Sequence, residues 1–104
     1  MVDVAAIDGG VLTIAAARDF LKVGASADAQ VSPLIPAAIG RIESYLGRDL
    51  VGDTGWPSAD KVPAIVVHAV KLALSDFYIN REAPELTDAQ LMPMIGRYMA
   101  TSIA

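Results

Sequence analysis

The sequence predicts an all-α protein, a small four-helix domain, on three observations. Apolar residues recur at three- and four-residue steps in four separate windows. Thr, Pro and Gly stand at the starts and stops of those windows. The chain of 104 residues has the length of one domain with one core.

Residues 1–12 read as a flexible arm of small residues with a turn at Asp8-Gly9-Gly10, and residues 13–104 as the single helical domain. Thr13 is placed to cap a first helix over about 14–22, "IAAARDFLK". Ile14, Ala17 and Leu21 share one of its faces, Arg18 and Lys22 another, and Gly24 is expected to end it. So short a helix needs tertiary packing to persist.

The second helix is marked by Val31, Leu34, Ile35, Ala38, Ile42 and Tyr45 or Leu46, with Gly47 as its stop. Pro33 and Pro36 interrupt its beginning. Either a kinked helix starts near Asp28 or a turn restarts it near Pro33; the kink is favoured, because the apolar spacing already includes Val31.

Residues 49–62 form an irregular segment in which Trp56 is expected to pin the loop to the core. Pro63 then opens a central apolar helix over about 63–82, whose polar strip is only His68, Lys71, Ser75 and Glu82. Pro84 stops it. Thr87 and Gln90 form a capping box for a fourth helix carrying Leu91, Ile95, Tyr98 and Met99, bent or shortened by Pro93. The expected core sets Ala69, Val70, Ala73 and Phe77 against Ile35, Ala38 and Ile42, with Leu21 and Ile95 closing its ends.

Hydrophobic residues make up 54% of the chain and charged ones 19%. Few polar side chains are left to cover a lone small protein, so a homo-oligomer is expected. The net charge of −4 leaves no basic patch for a phosphate backbone. There is no cysteine, which removes disulfides, thiolate metal sites and cysteine nucleophiles. The N-terminal stretch lacks a positive segment of the secretory type, and no apolar window reaches membrane-spanning length, so no membrane association is expected.

No residue is nominated as catalytic, metal-binding or cofactor-binding. His68, the single histidine, has neither a second ligand nor a nucleophile at helical spacing. The carboxylates are scattered, and the glycines match neither a phosphate loop nor a dinucleotide fingerprint. Asp76 lies on an apolar helix and needs a partner inside the protein. Arg41 is the leading one, with Asn80 and Tyr45 as others. Arg48, Arg81 and Arg97 fall near helix ends beside Tyr45, Tyr78 and Tyr98, a composition common at protein interfaces.

Four segments carry a family pattern in order: "TIAAARDFL", then "YLGR" with Tyr45, Gly47 and Arg48, then a helix begun by Pro63 and ended by "YINRE" with Tyr78, Asn80, Arg81 and Glu82, then Arg97-Tyr98. The chain resembles, over roughly residues 12–99, the small head-tail connector or adaptor proteins of long-tailed bacteriophages, prophages and gene transfer agents. Pro33, Pro36 and the compact 49–62 loop depart from the pattern.

The resemblance implies a structural protein, not an enzyme, that needs no cofactor. It would form a homo-oligomeric ring between the portal and the stopper or tail-completion proteins, at the neck of a virion or phage-like particle assembled in the bacterial host cytoplasm. DNA would pass through the channel without sequence-specific binding, and Tyr45, Arg48, Tyr78, Arg81, Glu82, Arg97 and Tyr98 would be structural or interfacial. The alternative is a small helical DNA-binding or regulatory protein. That would require a basic recognition helix, whereas the 63–82 window holds only Lys71 and Arg81.

Overall fold

In the computed structural model, which describes residues 11–52, 55–80 and 82–99, Thr13 opens helix α1 (Ile14–Leu21) by accepting a hydrogen bond from the Ala16 N–H on its hydroxyl at 3.1 Å. Among the described residues the fold is all-α. It has five helical segments, three 3-10 turns, and no extended pairing beyond an isolated bridge between Val51 and Trp56.

Helix α1 ends earlier than the glycine signal suggests. Lys22, not Gly24, takes the left-handed conformation (φ 60°), and the Val23 N–H returns to the Arg18 carbonyl at 3.1 Å. Val23 packs against the core. That contact offsets the roughly 1–2 kcal/mol a non-glycine residue costs there. The expected arm also gives up its last two residues, since Val11 and Leu12 are buried. Residues 1–10 lie outside the described residues.

The second window starts at Asp28, as the kinked-helix reading expects. A single turn, α2 (Asp28–Val31), leads through Ser32 and Pro33, which keep right-handed helical dihedrals while the proline interrupts the hydrogen-bond ladder, into α3 (Leu34–Leu46). Pro36 costs α3 nothing, because it is the third helical residue, where an N–H would have no partner within the helix. Gly47 closes α3 with φ 71° and donates to the Glu43 carbonyl.

Helix α4 (Ala64–Ile79) is central, and α3 packs along it. Ile35, Ala38, Ile39, Ile42 and Leu46 of α3 and Val66, Ala69, Val70, Ala73 and Leu74 of α4 are buried. Helix α1 joins this pair through Ala17, and α5 (Asp88–Ile95) through Leu91 and Ile95. The capping box of α5 is present in both directions, Gln90 N–H to Thr87 Oγ1 and Thr87 N–H to Gln90 Oε1. A 3-10 turn over residues 96–98 follows Pro93 and the end of α5.

Most of the expected core residues are buried, but two are not fully so. Leu21 and Phe77 only pack against the core, whereas Leu74, outside the expected set, is fully buried. Met99, assigned to the apolar stripe of the last helix, is exposed.

Candidate functional site

Asp76 sits one turn before the end of α4 and gathers the segment that follows. Its Oδ1 accepts from the Asn80 side-chain amide at 3.0 Å and the Glu85 N–H at 2.8 Å, and its Oδ2 accepts from the Leu86 N–H at 2.9 Å. Helix α4 therefore stops at Ile79, well before Pro84. Asn80 leaves the helical region (φ −112°, ψ 62°), and the chain turns back to the carboxylate.

Arg41 is not the direct partner expected for Asp76. Its guanidinium donates to the Leu86 carbonyl at 3.2 Å and to Asp88 at 2.8 Å. The Leu86 backbone is thus held at its N–H by an acid and at its C=O by a base. Arg41 still acts on Asp76 through its charge. Tyr45 does not reach Asp76 either.

Burial pushes the Asp76 carboxyl up, but the Glu85 and Leu86 amides, the Asn80 amide and the Arg41 charge together outweigh it and hold the group below its ordinary value of 3.8. A lowered folded-state value adds stability that is complete above the ordinary value and is lost as pH falls through the lowered one. Asp76→Asn turns an amide donor toward donors. It should cost about 1.5–3 kcal/mol at neutral pH, and the gap from wild type should close in acid. Denaturant melts of both proteins across that range would show this, and a gap independent of pH would rule out the charged clasp.

A second cluster joins three distant segments. The Arg48 guanidinium lies 4.1 Å from the centre of the Trp56 ring and donates to the Tyr98 carbonyl at 3.4 Å. The Tyr98 ring meets Trp56 edge-on at 5.7 Å, and the Arg97 guanidinium lies 5.7 Å from the Tyr98 ring. Trp56 thus pins the 49–62 loop, as its lone position in an irregular stretch suggested.

The expected interface residues fall into distinct environments. Tyr45 is 8% exposed and belongs to the core, a correction to its interface assignment. Its hydroxyl is buried with no hydrogen-bond partner among the described residues, and a methyl group at Gly96 would lie 3.5 Å from it. The turn after α5 covers Tyr45, which sequence spacing could not show. Tyr45→Phe should therefore leave stability unchanged or raise it by up to about 1 kcal/mol; a clear loss in a thermal melt would mean that the hydroxyl is satisfied.

Arg48, Tyr78 and Tyr98 are half-buried, Glu82 and Arg97 are exposed, and Arg81 lies outside the described residues. His68 is exposed and stands edge-on to Phe20 at 6.1 Å. Among the described residues no group of three or more His, Cys, Asp or Glu side chains could hold a metal ion, and no helix is long and apolar enough to cross a membrane.

The chain was compared with protein-family models, curated proteins and solved structures, and it matches none of them.

Proposed function

We propose that this protein is a structural assembly component, a ring-forming adaptor between the portal and the stopper or tail proteins of a tailed phage or phage-like particle. The observation that carries the reading is the convergence of two motif segments far apart in sequence. Tyr45 and Arg48, from the "YLGR" stretch, meet the Gly96-Arg97-Tyr98 turn, with Arg48 bonded to the Tyr98 carbonyl. The third motif, ending α4, is organised by Asp76 and Asn80. Residues that resemble the adaptor pattern thus serve as joints between elements, as a scaffold requires, and Arg97 and Glu82 remain at the surface for contacts.

The apolar excess supports a subunit in an assembly. The acidic balance suits a channel that a polyanion traverses without adhering. Removing the coding sequence from the producing element should yield DNA-filled heads without tails, and supplying the protein in trans should restore tailed particles. Normal tailed particles in its absence would overturn the proposal. Unchanged particles together with altered transcription would favour the regulatory alternative.

A further inference from the structure

Between α4 and α5, residues 82–86 make no backbone-to-backbone hydrogen bond among the described residues. Glu82, Ala83, Pro84 and Glu85 are exposed, and Leu86 alone packs against the core. Side chains of the body hold this segment down. The Glu85 and Leu86 N–H groups donate to the Asp76 carboxylate at 2.8 and 2.9 Å, and the Leu86 carbonyl accepts from Arg41 at 3.2 Å. Both amides end on one carboxylate, so they are gained and lost together.

The elements on either side do not lean on these contacts. Asn80 is bonded to Asp76 within its own stretch of chain, by its backbone N–H to the Asp76 carbonyl at 2.7 Å and by its side-chain amide to Oδ1 at 3.0 Å. Helix α5 is capped from within by Thr87 and Gln90, tied to α3 by the Arg41–Asp88 pair, and buried at Leu91 and Ile95. Lifting residues 82–86 thus takes Leu86 from the edge of the core and leaves Leu91, Ile95 and the α3–α4 contact in place. Few buried contacts and exposed hydrogen bonds mark the part of a fold that opens first.

We infer that residues 82–86 are a strap that opens and closes as one unit, with Asp76 as its latch, while α3, α4 and α5 stay folded. When closed, its Glu85 and Leu86 form one wall of a groove of about 380 Å³, facing Leu72, Ile79 and Met94. Opening removes that wall and frees Oδ2 of Asp76. A group that binds this carboxylate must bind the open form, so its apparent affinity falls with the fraction of chains that are open. The strap therefore controls access to Asp76, and it does so within a single chain, whether or not the adaptor reading holds.

Hydrogen exchange of the wild-type chain, read residue by residue by NMR and corrected for intrinsic rates, tests this directly. A hydrogen bond to a charged group protects an amide by about 10- to 150-fold. The Glu85 and Leu86 amides should therefore be protected, yet exchange at least about tenfold faster than those of Val70 and Leu74 inside α4. Low concentrations of urea should leave the strap rates unchanged and speed the core ones, because local opening exposes little surface. Asp76→Asn should abolish the protection of Glu85 and Leu86 and keep that of Ile95 in α5, with helical circular dichroism unchanged.

Strap amides that match Val70 and Leu74 in rate and in urea dependence would overturn the inference, because the segment would then open only with the whole domain. Protection of Glu85 and Leu86 that survives Asp76→Asn would also overturn it, by removing the latch. So would loss of the Ile95 protection together with theirs, which would make α5 part of the moving unit.

Discussion

Leu74→Ala is expected to lower the stability of the domain by about 2 to 5 kcal/mol, more than Phe77→Ala does, although phenylalanine loses the larger side chain. Leu74 is 0% exposed at the centre of α4. Its removal leaves a cavity with no solvent to refill it. Phe77 packs at the edge of the core and keeps part of its ring in water, so truncating it forfeits less buried area. Against a typical total of about 5–15 kcal/mol, the leucine change consumes a large share of the domain's stability. Paired urea titrations would give the order directly, and a larger loss for Phe77→Ala would mean that the helix presents a different face to α3.

Gly55→Ala is expected to be comparably damaging, by about 3 kcal/mol or more, for a steric reason. A methyl group there would fall 2.2 Å from the Asp49 carbonyl oxygen and 2.6 Å from the Leu50 carbonyl carbon. Both obstacles are backbone. They cannot turn aside as a side-chain tip could, and the loop is held in place by the Trp56 N–H on the Leu50 carbonyl at 2.9 Å and the Gly52 N–H on the Trp56 carbonyl at 3.1 Å. Opening it would also disturb the Arg48–Trp56–Tyr98 cluster. Gly40 is the internal control. It lies exposed within α3 with nothing near its missing side chain, so Gly40→Ala should raise stability by about 0.5–1 kcal/mol through helix propensity. Thermal melts of the two variants should move in opposite directions, and a tolerated Gly55→Ala would show that the 49–56 turn is looser than its hydrogen bonds imply.

The helices and many of their ends were legible because their signals are local. Thr13, Gly47 and the Thr87–Gln90 pair each act within a few residues, and each does what its side chain or backbone freedom dictates. The choice between Leu74 and Phe77 was not legible. Helix α4 has only a narrow polar strip, so its sequence does not fix which of its apolar faces turns inward; packing against α3, α1 and α5 does. The Asp76 site was half legible. Its need for partners follows from a carboxylate on an apolar helix, and Asn80 one turn later is a local partner. The Glu85 and Leu86 amides come from a turn whose path spacing does not reveal, and Arg41 was drawn to Asp88 instead. The burial of Tyr45 depends on a contact with the turn at Gly96, far along the chain.

The adaptor proposal is tested most directly by measuring the native mass of the purified protein bound to the portal ring of the same element, with negative-stain images of the same sample. The expected result is a discrete ring of many copies stacked coaxially on the portal, with an open central channel. A protein that stays at one or two chains at high concentration and leaves the portal bare would contradict it.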